Sequence, residues 1–132
     1  MGSFRAVFTF EGKEFDVLYS KHEFSRNTDK KGKPSSNILG GRVEISFEST
    51  EDTTVIEAML NSQFKPVAGK ITYKKTEEDA KMKELEFHNA YVVYYKETLD
   101  VNNEIPMTTK VVFSAEEITL GNAALHNRWP RA

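Results

Sequence analysis

Residues 42–63, RVEISFESTEDTTVIEAMLNSQ, change their hydrophobic period partway along. From Arg42 to Glu48 apolar and polar residues alternate, which is typical of a β-strand with one face in a core and one face in water. After residue 50 the apolar residues follow helical spacing instead. This stretch therefore predicts a strand followed by one helix over about residues 52–63, and the side chains expected to be buried on that helix are Val55, Ile56, Met59 and Leu60.

The two-residue alternation recurs along most of the chain. Residues 4–24 predict a β-hairpin, with Gly12 in its turn. Later strands are predicted over 68–75, 82–97 and 107–119, and the residues between the first two, TEEDAK at 76–81, predict a charged turn or a short helical turn. Six or more strands with one helix indicate a mainly β fold, a small β-barrel of two antiparallel sheets with one flanking helix.

Two segments break the pattern of alternation. Residues 26–38, RNTDKKGKPSSNI, are polar and contain Gly and Pro, so they predict a long exposed loop. Residues 120–132 read as a polar tail that carries the single tryptophan, Trp129. There is no internal repeat and no composition break, and 132 residues fit one domain, so we expect residues 1–132 to fold as a unit.

The sequence contains no recognisable catalytic or metal-binding pattern. The chain has no cysteine, and its three histidines (His22, His88 and His126) do not stand at metal-ligand spacings. The stretch Gly32-Lys33-Pro34-Ser35 lacks the glycine and hydroxyl positions of a phosphate-binding loop. We therefore expect no enzyme activity, no cofactor and no metal.

Charge and hydropathy exclude two further classes of partner. The formal net charge is −2, which gives no overall attraction to nucleic acid. No run of apolar residues is long enough to cross a membrane, and the N-terminus lacks the apolar core of a signal peptide. We expect no nucleic-acid binding, no membrane insertion, and folding in the cytoplasm.

Two groups of residues are candidates for contacts with another subunit. The first is the basic group in the loop, which is either a solvated tip or a contact with acidic groups on a neighbour: Arg26, Lys30, Lys31 and Lys33. The second lies in residues 91–95, YVVYY, where both faces of a strand are apolar or aromatic; one face is covered by the chain itself or lies in a subunit interface, where tyrosine is favoured. Its candidates are Tyr91, Tyr94 and Tyr95, with Trp129 from the tail.

Several long segments resemble the type VI secretion tube protein (TssD, or Hcp) family, in its bacteroidetes-type branch. They are RNTDKKGKPSSNILGGRVEISFE at 26–48, ESTEDTTVIEAMLNSQFKPVAGKITYKK at 48–75, AKMKELEFHNAYVVYYKETLD at 80–100 and ITLGNAALHNRWP at 118–130. Together they span nearly the whole chain in order, although none is a catalytic signature.

The resemblance implies a β-barrel with one flanking helix. It also implies hexameric rings that stack into a tube inside a contractile sheath, with spike and baseplate proteins as partners and effector proteins in the lumen. Such a protein is cytoplasmic when assembled and is secreted through the apparatus without a signal peptide. On this reading the basic loop is a ring-stacking contact.

A different class of function also fits the length and the strand content. A small β-barrel can enclose a cavity and carry a small ligand. A monomer with bound lipid in the expressed protein would favour the carrier, and a large ring with none would favour the tube subunit.

Overall fold

The computed structural model describes residues 4–75 and 80–130. The turn expected at 76–81 lies largely outside these residues. The elements are β1 (Phe4–Phe10), β2 (Lys13–His22), β3 (Arg42–Glu48), α1 (Thr54–Leu60), β4 (Val67–Lys75), β5 (Ala80–Asp100), a 3-10 turn (Val101–Asn103), β6 (Ile105–Leu120) and β7 (Ala123–His126).

The strands form one antiparallel sheet that closes on itself. Their order is β3-β2-β1-β4-β5-β6, and β3 then pairs with β6 from Arg42 opposite Ser114 to Glu48 opposite Thr108. Strand β7 is added outside this barrel, along the C-terminal part of β6. The predicted mainly β barrel with one flanking helix is confirmed. The wall of the barrel is one continuous sheet, and the core lies inside it.

Phenylalanine fills the interior of the barrel. Phe8 is fully buried, and its ring centroid lies 5.8 Å from that of Phe15 and 5.8 Å from that of Phe113. Phe87 packs closer still on Phe113, at 4.7 Å. The inward positions of the alternating strands supply these rings, as the sequence pattern predicts. Aromatic rings at these separations are in van der Waals contact, so the barrel interior is a packed core.

The helix is shorter than predicted, and of its four expected core residues only Val55 is buried, while Ile56 and Met59 are half-buried. It spans Thr54–Leu60 and packs against β5 with Val55 buried. Leu60 is 67% exposed, so its predicted burial was wrong. At 3.6 residues per turn, Leu60 lies about 140° around the helix from Val55 and points away from the barrel.

The C-terminal tail contains a strand that the sequence did not predict. A turn at Gly121 (φ +60°) reverses the chain after β6, and Ala123–His126 then pair with Leu120–Glu117. Four residues are too few for alternation to distinguish a strand from a loop, and three of the four are Ala or His. Pairing with the already ordered edge of β6 stabilises this strand, which the local sequence alone does not predict.

Candidate assembly surfaces

The predicted loop 26–38 is exposed, but it has a structure of its own. Ser25 and Leu39 exchange two backbone hydrogen bonds, of 2.9 and 2.6 Å, and the amide of Ser35 donates to the carbonyl of Asn27. We call residues 25–39 the arm, since they form a narrow antiparallel ribbon beyond the ends of β2 and β3. This ribbon makes the arm a defined projection.

A single carboxylate organises the tip of the arm. Oδ1 of Asp29 accepts hydrogen bonds from the amides of Lys31 (2.9 Å) and Lys33 (3.0 Å). This turn directs the side chains of Lys30, Lys31 and Lys33 into solvent, and all three residues are exposed. Within residues 4–75 and 80–130, none of their amines has a carboxylate partner within 4.0 Å. The tip therefore presents concentrated positive charge.

The fourth candidate of the basic group lies lower on the arm. The guanidinium Nε of Arg26 donates to the carbonyl of Ser36, 3.3 Å away on the opposite side of the ribbon. The Ser36 hydroxyl in turn accepts from the amide of Asn27 at 2.9 Å. Arg26 thus braces the ribbon, and the structure places all four predicted cations on the arm, with the three lysines at its tip.

The aromatic strand is divided between the core and the surface. Register with β6 shifts between Val92 and Tyr94, so Val93 is an extra residue in β5 and the alternation restarts after it. Tyr95 is half-buried against the core, and burial, aided by the charge of Glu97, raises the pKa of its phenol. Tyr94 is 43% exposed, with Lys110 Nζ 5.9 Å from its ring centre. The chain itself therefore covers one face of residues 91–95, and the other face is exposed.

Trp129 packs on its own barrel. Its ring centroid lies 6.1 Å from that of Tyr91, so these two candidates are neighbours. The tail is also held by Glu116, which the sequence did not indicate as a functional residue. The side chain of Glu116 is buried. Its carboxylate accepts hydrogen bonds from the Trp129 amide at 3.1 Å and from Asn89 Nδ2 at 3.3 Å. A glutamate within an alternating strand gives no local signal of burial, because its partners come from distant parts of the chain.

The β5–β6 hairpin projects beyond the barrel, and the sequence did not predict it as a candidate assembly surface. Its ladder continues from Thr98–Thr108 to Asp100–Ile105, past the point where β3 stops pairing with β6. We call residues 96–104, KETLDVNNE, the hairpin tip. Asp100 fixes its turn through bonds from Asn102 N (3.0 Å) and Asn103 Nδ2 (2.6 Å). The sequence feature that could have indicated this surface is the apolar pair Leu99 and Val101 within a polar stretch.

An apolar cleft of about 290 Å³ lies between the base of the arm and β7. Its lining comes from both sides: Phe24 and Ile38 from the arm's base, and Leu120, Ala123 and Leu125 from β6 and β7. The cleft is open to the surface, and Ile118 of the core lies at its wall. The barrel interior, being filled by phenylalanine rings, leaves the carrier interpretation without its expected cavity.

Neither a metal-binding cluster nor a membrane-spanning helix is found in the described part of the chain. Across 4–75 and 80–130, no three histidine, aspartate or glutamate side chains converge as they would around a metal ion. Over the same part of the chain, no helix has the length and apolar character needed to cross a bilayer.

Comparison with known proteins assigns the family. The model of the hemolysin coregulated protein Hcp (TssD) family matches residues 2–130. The structure of Hcp1 from Flavobacterium johnsoniae is 36% identical, with a TM-score of 0.86, and the match covers 93% of this chain and 99% of that one. The chain has no match among curated proteins.

Two more distant structures share the fold. The secreted protein Hcp3 from Pseudomonas aeruginosa is 13% identical with a TM-score of 0.65, over 98% of this chain and 100% of that one. A sheath/tube terminator of an extracellular contractile injection system is 10% identical with a TM-score of 0.56, over 88% and 92% of the two chains.

A packed barrel with projecting, charged extensions defines a structural subunit, one that acts through its surfaces. The chain belongs to the Hcp (TssD) family. It is a tube protein of the type VI secretion system, and members of this family are structural proteins rather than enzymes.

Proposed function

We propose that this chain forms hexameric rings that stack into the inner tube of a type VI secretion apparatus. The tube is ejected by a contractile sheath, meets spike and baseplate proteins at its ends, and carries effector proteins in its lumen. It assembles in the cytoplasm and leaves the cell through the apparatus. The family assignment supports this proposal, and the secreted Hcp3 and the sheath/tube terminator share the fold.

The observation that carries the proposal is large apolar side chains left exposed beside the helix. Leu60 ends α1 at 67% exposure, and Phe64, four residues later, is 85% exposed. A buried phenylalanine is worth about 2–3 kcal/mol of transfer free energy, so a free chain leaves this stabilisation unused. A neighbouring subunit that covers both residues recovers it, as expected of a repeated heterologous contact that closes into a ring.

The aromatic strand supplies a second part of the same interface. Tyr94 and Val93 are exposed on β5, the strand against which α1 packs. Tyrosine is enriched at interfaces because it combines a large apolar ring with a polar end. Tyr91 and Trp129 pack on each other, and we assign them the role of holding the tail beside this surface.

The direct test is the mass of the assembly in solution. Native mass spectrometry of the purified chain at micromolar concentration is expected to give six copies per particle. Phe64→Asp places an unpaired charge in the lateral contact and is expected to shift the particles toward monomer. Gln63→Asp, the adjacent change outside the apolar pair, is the matched control and should stay hexameric. A wild-type monomer throughout this concentration range would contradict the proposal.

A further inference from the structure

We propose that the outer edge of β7 binds an extended segment of a different protein, which adds to the sheet as one more antiparallel strand beside Ala123–His126. The segment places apolar side chains at alternate positions in the apolar cleft and an acidic side chain beside Arg128. This surface shares no residue with the ring contact proposed above and does not depend on it.

The pairing of β7 with β6 determines which backbone groups of β7 remain for a further strand. The amide of Asn127 donates to the carbonyl of Glu116 at 2.7 Å, so these two residues form a hydrogen-bonded pair. In an antiparallel ladder such pairs alternate with pairs that exchange no hydrogen bond. Leu125 therefore bonds to β6, and the amides and carbonyls of Ala124 and His126 point away from β6.

The opposite side of β6 shows the same alternation. The amide of Gly121 donates to the carbonyl of Glu84 in β5 at 3.2 Å. Backbone groups of successive residues in a strand point in opposite directions, so Leu120 and Ile118 bond to β7 on the other side. The direction of the outward groups of β7 thus follows from both strands.

This outer edge is accessible and chemically open. Ala124 and His126 are exposed, and within residues 4–75 and 80–130 no hydrogen bond reaches their outward amides or carbonyls. Edges that proteins keep from pairing often carry lysine or proline, and the sequence AALH of β7 has neither. A row of unpaired amides and carbonyls is complemented by the backbone of another strand, so the matching occupant is a short polypeptide segment.

The apolar cleft lies along this edge and selects the side chains of the segment. Ala123 and Leu125 of β7 form one part of its lining, and Ile38 of the arm forms another. Residues directly opposite each other in a ladder place their side chains on the same face of the sheet. Segment residues opposite Ala123 and Leu125 therefore enter the cleft, which favours aliphatic side chains at every second position.

A polar recess of about 580 Å³ adjoins the cleft and selects the charge at one end of the segment. The recess shares Ile38 and Leu125 with the cleft, and its lining also includes Asn127 and Arg128. Arg128 is exposed, and in the described part of the chain no carboxylate lies within 4.0 Å of its guanidinium. A carboxylate of the segment can form charge-assisted hydrogen bonds with this group. In an antiparallel strand this acidic residue precedes the apolar ones.

Binding of a synthetic peptide to the intact chain tests the proposal. The probe is a fluorescently labelled peptide with blocked ends, in which two aspartates precede three valine–threonine pairs, and fluorescence anisotropy measures its affinity. In the proposed register the valines enter the cleft, and the threonines pair with Ala124 and His126, so only the threonine amides point toward β7.

Selective N-methylation of the peptide distinguishes strand pairing from apolar adsorption. Methylation of the threonine amides is expected to weaken binding at least about tenfold, whereas methylation of the valine amides should have a much smaller effect. Equal effects of the two modifications would overturn the proposal, and so would the absence of binding at the highest soluble peptide concentration.

A proline on the edge gives the corresponding test on the protein. Ala124→Pro removes an outward amide but no bond to β6, since proline is tolerated where the amide of an edge strand faces solvent. We expect the same loss of peptide affinity as for threonine methylation. Ala124→Ser keeps the amide and is the matched control, and unchanged Trp129 emission shows that the tail stays in place. Equal affinity of the two variants would contradict strand addition.

Charge exchange tests the end of the segment independently. Arg128→Glu is expected to weaken binding of the aspartate peptide and to strengthen binding of a peptide in which lysines replace the aspartates. If both peptides bind the variant and the wild type alike, the assigned contact of Arg128 is wrong.

Native mass spectrometry of the same variants identifies a second copy of this chain as the occupant, if it is one. Loss of an assembly in Ala124→Pro that Ala124→Ser still forms would show that the edge pairs with a neighbouring copy, which overturns the proposal of a foreign segment. Peptide binding that responds to threonine methylation in a chain that stays monomeric would support this inference and contradict the proposed ring.

Discussion

The backbone amide of Trp129 donates a hydrogen bond to Oε2 of Glu116, a buried carboxylate thirteen residues earlier in the chain. Asn89, which adopts a left-handed conformation (φ +50°) in β5, donates to the other oxygen of the same carboxylate. One side chain thus joins β5, β6 and the tail, and it acts together with the pairing of β7 on β6 and the bonds of Asn127.

Replacing this carboxylate should release the tail. Glu116→Ala leaves the Trp129 amide and the Asn89 side chain without their acceptor, at an expected cost of about 1–3 kcal/mol in the free energy of unfolding. Trp129 is the only tryptophan, so a red shift of its emission in native buffer reports release of the tail. Glu116→Gln keeps one acceptor oxygen and should lose less stability. Unchanged emission in Glu116→Ala would show that other contacts hold the tail.

The two apolar ends of the helix should respond differently to truncation. Val55 is buried, so Val55→Ala is expected to lower the free energy of unfolding by about 2 kcal/mol, from lost transfer free energy and a residual cavity. Leu60→Ala, at an exposed position, should cost less than about 0.5 kcal/mol. Denaturant titration at concentrations where the chain is monomeric makes this comparison. Equal losses at both positions would mean that Leu60 is covered within its own subunit.

Gly69 should not tolerate a side chain. A Cβ built at this position in β4 would lie 2.6 Å from Cζ of Phe87, a fully buried residue. Gly69→Ala is therefore expected to cost about 1–3 kcal/mol through overpacking. Adding Phe87→Leu makes room for the methyl group, so the double variant should lose less than the sum of the two single losses in a denaturant titration. Strict additivity would show that the two residues do not compete for this space.

The arm is expected to act in stacking and not in folding. Lys30→Glu/Lys31→Glu/Lys33→Glu should leave the thermal unfolding midpoint within a few degrees of wild type, because these side chains are solvated. Ring mass should also be unchanged, whereas tube assembly and secretion from cells should fall. Lys30→Arg/Lys31→Arg/Lys33→Arg keeps the charge and is the matched control. Normal secretion of the glutamate variant would rule out the stacking role, and loss of the ring would place the arm in the lateral interface.

Stability should depend on pH through His22. Its ring lies 6.2 Å from that of Phe24 and 6.3 Å from that of Tyr73, and burial, with a smaller effect of the charge on Lys83, lowers its pKa below 6.5. In the window between the lowered pKa and 6.5 the unfolded chain binds more protons than the folded chain. This contribution to stability is therefore complete above pH 6.5 and is lost as the pH falls through the folded pKa.

Thermal unfolding from about pH 7.5 to about pH 5 measures this dependence. The difference in midpoint between wild type and His22→Phe should shift in favour of the variant as the pH decreases, since phenylalanine cannot be protonated. Parallel curves for the two proteins over the whole range would show that His22 titrates alike in both states.

Sequence reasoning succeeded where a local period repeats and failed where one distant contact decides the structure. The strand over Arg42–Glu48 and the barrel's phenylalanine core follow from alternation, since every second residue must face inward. The position of Leu60 depended on where α1 meets β5, which spacing alone does not specify. The strand at 123–126 exists because β6 offers it an ordered edge.

The candidate surfaces show the same division. The basic group of the arm was visible in composition, but its ribbon, set by bonds between residues up to fourteen positions apart, was not. The run at 91–95 looked uniformly two-faced because the extra residue at Val93, which turns part of it outward, leaves no mark in a sequence of apolar residues.

The arm, with four cations and one carboxylate, leads into the first residue of β3, whereas the hairpin tip, with three carboxylates and one lysine, lies beyond the last residue of β3. The charge of the subunit therefore has a direction along the barrel. Any linear array built by repeating one such subunit head to tail ends in two chemically different faces, one with unmatched cations and one with unmatched carboxylates. A partner that binds at one end of the barrel therefore meets a charge of the opposite sign to the charge at the other end.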